Sequence, residues 1–85
     1  MRVRRQEVLD EVVRGDEAVV LSGGQILRLS ALAHSIRALS CQWIELADLA
    51  GALAERHGEP DGDPVEALRP MVADLASAGL LETRE

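Results

Sequence analysis

AVVLSGGQILRLS, Ala18 to Ser30, is the stretch that decides the fold. Two short β-rich runs flank Gly23-Gly24, and the second passes straight into a helical pattern. Gly-Gly accepts the positive φ angles of a two-residue hairpin turn. The stretch therefore reads as a β-hairpin whose last strand, Gln25 to Leu29, is a candidate sheet edge. Such an edge offers unpaired N–H and C=O groups to another extended chain. Peptide binding is for that reason the first function to test, ahead of catalysis.

Upstream, Val8 to Val13 can form a strand, and Arg14-Gly15-Asp16-Glu17 is the turn that follows it. With Ala18 to Leu21 second and Gln25 to Leu29 third, the strands make an antiparallel meander. Met1 to Gln6 is polar and basic and is expected to fray. Downstream, Ser30 is placed to cap a helix carrying Leu32, Ala33, Ile36 and Leu39 at helical spacing. Ser40 to Trp43 interrupts that pattern. Leu46, Leu49, Ala50 and Leu53 form the stripe of a second helix that Gly58 can close.

Asp63-Pro64-Val65-Glu66 opens a third helix. Asp63 can cap, Pro64 suits the first helical position, and Glu66 can reach back to the cap N–H. Val65, Leu68, Met71, Val72, Leu75 and Ala76 then form a broad apolar stripe. Pro70 deletes one helical hydrogen bond and should bend the axis. Gly79 should end the helix, with Leu80 packing back in a Schellman-type contact. The expectation is one α+β domain spanning residues 1–85: a three-stranded antiparallel sheet followed by three helices.

Composition narrows the function. The chain has 85 residues, 47% hydrophobic and 28% charged, which suits a small globular domain with one modest core. The core must be aliphatic, because there is one Trp and no Phe or Tyr. The formal charge of −6 disfavours nucleic acid, whose phosphates supply most of the affinity in such complexes. A single cysteine excludes an internal disulfide and fits a reducing compartment. No apolar run is long enough to cross a bilayer and no signal-peptide pattern opens the chain, so a cytoplasmic location is expected and no membrane partner.

QILRLSALAHSIRALS, IELADLAGALAERHG and VEALRPMVADLASAGLLE together resemble the pyrroloquinoline-quinone synthesis D-like proteins. These are the RiPP recognition elements, peptide-binding domains that serve ribosomally made, modified peptides. The resemblance covers about Val8 to Glu82 and rests on apolar patterning. It implies a winged helix-turn-helix-like fold whose third strand accepts a precursor leader as a fourth strand (β-augmentation), with leader side chains entering a groove against the third helix. It also implies a stand-alone, non-catalytic protein that hands its precursor to a peptidase, cyclase or radical modifying enzyme, as in lasso-peptide biosynthesis. The chain differs from the family at Glu45, where Thr is frequent, at Pro70, and in lacking an aromatic residue near the third strand.

Carried over by position, the peptide-binding residues are Gln25, Ile26, Leu27, Arg28 and Leu29 on the strand. On the helix they are Val65, Leu68, Arg69, Val72, Leu75 and Ala76. Side chains alternate along a strand, so Leu27 and Leu29 are expected to enter the core while Ile26 and Arg28 face outward. Arg28 can then pair with an acidic leader residue. Leu68 and Val72 lie central in the helical stripe, with Arg69 at its rim. Main-chain pairing supplies affinity without demanding side-chain identity, and pockets at alternate positions supply selectivity.

No residue pattern supports catalysis, a metal or a cofactor. His34, Cys41 and His57 lack ligand spacing. His34 suits a helix surface, Cys41 an inert place near a helix end, and His57 a helix C-terminus. Gly23-Gly24 has no phosphate-binding signature around it. Trp43 is expected to fill the core beneath the helix junction. Two other functions fit the same layout. One is a winged-helix DNA-binding protein, opposed by the acids Glu59, Asp61, Asp63 and Glu66 at the third helix's start. The other is a general interaction subunit of an enzyme complex.

Overall fold

Backbone polar groups must find partners, and in this chain they do so through two small sheets. The computed structural model describes all residues, Met1 to Glu85. In chain order the elements are β1 (Arg2–Arg5), β2 (Asp10–Arg14), β3 (Glu17–Ser22), β4 (Gln25–Leu29), α1 (Ala31–Leu39), β5 (Ile44–Glu45), α2 (Leu46–His57), α3 (Pro64–Ser77) and β6 (Leu81–Arg84). Strands β2, β3 and β4 form one antiparallel sheet in that order. Strands β5, β1 and β6 form the second, with β1 in the middle. The fold is thus α+β with three helices and two three-stranded antiparallel sheets.

The meander follows the local chemistry. Gly23 and Gly24 take φ of 57° and 77°, as a type I′ turn requires, and set Ser22 opposite Gln25. Gly15 takes φ of 59° ahead of Asp16, which fits the II′ turn between β2 and β3. The third strand spans Gln25–Leu29 as expected. The first begins at Asp10 rather than Val8, with the Leu9 N–H still donating to the Leu21 carbonyl of β3 at 2.9 Å.

The second sheet corrects the expectation of a single sheet followed by helices, and of a frayed Met1 to Gln6. Val3 is fully buried at the centre of β1. The arginines around it are neutralised across strands: Arg2 Nε donates to Glu45 at 2.8 Å and Arg4 Nη2 to Glu82 at 2.8 Å. Arg5 N–H extends the pattern by donating to the Ser40 carbonyl at 2.7 Å. Trp43 is likewise not a core residue. It lies half-buried with two guanidinium groups over its ring, Arg4 at 4.8 Å and Arg84 at 4.2 Å from the ring centre, a pair of cation–π contacts.

Helix ends follow their caps more closely. Ser30 Oγ accepts from the Ala33 N–H at 3.2 Å and Asp63 Oδ1 from the Val65 N–H at 2.9 Å. Gly79, at φ 79°, donates to Ala76, while Leu80 donates back to the Leu75 carbonyl at 2.9 Å. That pair is the Schellman pattern. Glu66 does not reach back to its cap; its carboxylate takes Arg69 Nε at 3.1 Å instead. α3 continues through Pro70, which sits on the exposed side where water can reach the freed carbonyl.

One core joins both sheets. Val3, Ala18, Val20, Leu29, Ile36, Leu49, Val72, Leu80 and Leu81 belong to a single buried cluster. α1 packs on β1, β3 and β4 and so bridges the sheets, while α3 packs on α2 and β6. Arg37, almost wholly buried, fastens this junction. Its guanidinium donates to Glu11 Oε1 at 2.6 Å, the Gln6 carbonyl at 2.8 Å and the Leu80 carbonyl at 3.3 Å.

Candidate functional site

β4 is hydrogen-bonded on one side alone, to β3. The two-residue turn fixes which groups face the open side. Ser22 and Gln25 close the hairpin as a hydrogen-bonded pair, and antiparallel pairs alternate. Leu27 and Leu29 therefore turn their N–H and C=O groups to β3, while Ile26 and Arg28 present theirs at the free edge. Side chains divide the same way. Leu29 is buried and Leu27 packs against the core, whereas Ile26 and Arg28 stand in solvent.

β2 is also an edge, but it is blunted. Counting from the Arg14–Glu17 pair, Glu11 and Val13 face outward. The Glu11 N–H is already taken by Asp10 Oδ1 at 2.8 Å, and the Glu11 carboxylate is held by Arg37. β4 carries no such plug. The Arg28 guanidinium lies 4.0 Å from Glu17, with both side chains well exposed. Such a pair is worth little and leaves Arg28 available to an incoming carboxylate.

The helical half of the anticipated site is distributed differently. Leu68, Val72 and Leu75 are buried in the shared core. Val65 lines a separate hollow of about 470 Å³ between α2 and the start of α3, with Gly51 and Glu55. Arg69 is exposed and paired with Glu66, and Ala76 is half-buried against the core. α3 packs chiefly on α2 and β6, while β4 leans on α1.

An apolar dimple of about 80 Å³ opens among α1, α2 and α3, with no β4 residue in its wall. Its wall includes Leu32, three residues past Leu29, together with Leu53, Leu68, Ala67 and Met71. Leu32, Ala67 and Met71 line this dimple and fall outside the anticipated peptide-binding set. The signal for Met71 was present, since it flanks the stripe on the side opposite Arg69 at 100° per residue.

The side chains that could carry other chemistry do not converge. His57 Nε2 lies 2.9 Å from Ser35 Oγ, bridging the end of α2 to α1. Cys41 is exposed in the turn after α1. The α3 start carries Asp63 and Glu66, and its one cation is internally paired. No helix is long and apolar enough to cross a membrane. No protein-family model matches the chain, and neither a curated protein nor a solved structure matches it significantly.

Proposed function

We propose that this protein is a non-catalytic peptide-recognition module that takes an extended segment as a fourth strand beside β4. The open edge of β4 carries the reading: Ile26 and Arg28 turn backbone donors and acceptors outward with no partner from the chain. Each main-chain bond formed there contributes about 0.5–1.5 kcal/mol net. A guest side chain pointing inward beside Leu27 would extend the apolar surface where Leu27 packs against the core. Burying one aliphatic side chain there adds about 1.5–3 kcal/mol. An acidic guest residue beside Arg28 completes the selectivity.

Within this proposal the guest is the leader of a ribosomally made precursor, as the resemblance to RiPP recognition elements implies. The partner is the peptidase, cyclase or radical enzyme that acts on it. The fold is then a winged helix-turn-helix variant in which the β3–β4 hairpin is the wing. DNA binding is the weaker reading, since acids crowd the start of α3 and Arg69 is already paired.

Proline at Arg28 tests the edge. It removes an outward N–H while leaving the bonds to β3 in place. Peptides selected from a random display library should bind the wild-type protein and lose at least tenfold in affinity for Arg28→Pro, with circular dichroism unchanged. Equal affinity for both proteins would remove β4 from the binding surface.

A further inference from the structure

The loop between α2 and α3 is pinned at both ends and free between them. The Gly58 N–H donates to the Ala54 carbonyl at 2.9 Å, and Asp63 Oδ1 accepts from the Val65 N–H at 2.9 Å. Glu59, Pro60, Asp61 and Gly62 are all exposed and take part in no hydrogen bond or ion pair of the protein. Two groups able to react with each other are therefore adjacent and unrestrained: the Asp61 side-chain carboxyl and the Gly62 amide. Gly62 takes φ of 80°, and its missing Cβ leaves open space beside that amide. Exposed loops of this kind are where covalent change concentrates.

No other aspartate has this combination. The Glu11 N–H after Asp10 donates to Asp10 Oδ1 at 2.8 Å, so it aims its hydrogen, not its nitrogen, at the carboxyl. The Glu17 N–H after Asp16 closes the hairpin on Arg14. Asp48 and Asp74 precede Leu49 and Leu75, whose N–H groups belong to helical ladders. Asp63 precedes Pro64, which has no N–H. Only Asp61 is followed by glycine.

We propose that Asp61 is a site of spontaneous isomerisation to isoaspartate. The Gly62 nitrogen attacks the Asp61 side-chain carboxyl carbon. A C–N bond forms, and the amide hydrogen leaves with the carboxyl hydroxyl as water. The product is a five-membered succinimide ring. Water then adds to one of the two ring carbonyls and a C–N bond breaks. Opening at the side-chain carbonyl restores Asp61. Opening at the main-chain carbonyl leaves the chain running through the side-chain carbon, with a free α-carboxylate. Nothing is oxidised or reduced, and the hydrolysed product keeps the original mass and net charge. The loop gains one backbone carbon ahead of α3. The cap bond from Val65 to Asp63 and the buried core take no part, so the change accumulates in the folded protein. It also leaves β4 untouched and stands apart from peptide binding.

The probe is a purified isoaspartyl methyltransferase, which transfers methyl groups from S-adenosylmethionine to the isoaspartyl carboxylate. Wild-type protein kept for weeks in warm neutral buffer should take up label steadily, and fragmentation mass spectrometry should place it at residue 61 alone. Asp61→Glu should lose the label, because glutamate would have to close a slower six-membered ring. Asp61→Asn should gain it sooner, since the amide loses ammonia more readily than the carboxylate loses water. Both substitutions fall on an exposed side chain without partners, so circular dichroism should match the wild-type protein. A synthetic peptide of residues 57–64 should label at nearly the rate of the folded protein. A folded protein that stays unlabelled at residue 61 while the peptide labels would overturn the proposal. So would label spread evenly over the other aspartates, or an Asp61→Glu protein labelled as strongly as the wild type.

Discussion

Arg37 is the residue on which the junction of the two sheets depends. It is only 4% exposed and serves three acceptors from three separate segments: Glu11, the Gln6 carbonyl and the Leu80 carbonyl. Arg37→Ala should lower stability by about 3 kcal/mol, because two carbonyls and a carboxylate lose their donors together. The urea midpoint should fall accordingly, and a change below about 1 kcal/mol would show that the staple is incidental. Glu45 makes a smaller, pH-dependent contribution. The hydrogen bond from Arg2 holds its carboxyl below the ordinary value of 4.5, with the nearby amino terminus assisting against some desolvation. A depressed folded pKa stabilises the fold fully above the unfolded value and ceases to do so as pH falls through the folded one. Melting temperature should therefore decline below about pH 4.5, and less steeply in Glu45→Gln; parallel curves would detach Glu45 from the acid limb. Single residues with local partners were the most legible in the sequence. Ser30, Asp63 and Gly79 act within one turn of themselves, so their roles follow from spacing alone. Arg37 gave no such signal, since its partners lie 26 to 43 positions away.

At the scale of elements, the edge of β4 makes a directional prediction. Leu27 and Arg28 are neighbours, yet their N–H groups point to opposite sides of the strand. Leu27→Pro should break the ladder to β3 and destabilise the domain by about 3 kcal/mol or more, whereas Arg28→Pro should melt within a few degrees of the wild-type protein. Comparable losses in both would mean that the register is shifted by one residue. The hairpin was readable because Gly23-Gly24 fixes register locally and alternation does the rest. β1, β5 and β6 were not. They are two to four residues long, carry charges on one face, and pair with partners some 43 and 78 positions distant. Arginine beside valine in Arg2–Arg5 reads as a solvated tail until Glu45 and Glu82 are seen opposite. The burial of the helical half of the anticipated site was hidden for a related reason. The stripe of α3 shows which residues are apolar but not which neighbour covers them, and α2 and β6 cover Leu68, Val72 and Leu75.

For the whole molecule, both ends of the chain belong to one sheet, with β1 between β5 and β6. Removing residues 1–6 deletes that central strand and its buried Val3. Burial of one valine is worth about 1.5–3 kcal/mol, a sizeable part of the 5–15 kcal/mol typical of a domain. The shortened chain should melt at least about 10 °C lower, and an unchanged melting temperature would make the second sheet dispensable. The two sheets then divide the labour. β5–β1–β6 closes the core, while β2–β3–β4 presents an unfinished edge. Amide hydrogen exchange reads that edge directly. In the free protein Ile26 and Arg28 should exchange fast while Leu27 and Leu29 are protected, and a selected peptide should slow Ile26 and Arg28. Slow exchange at Ile26 and Arg28 in the free protein, or fast exchange there with peptide bound, would contradict strand addition at β4.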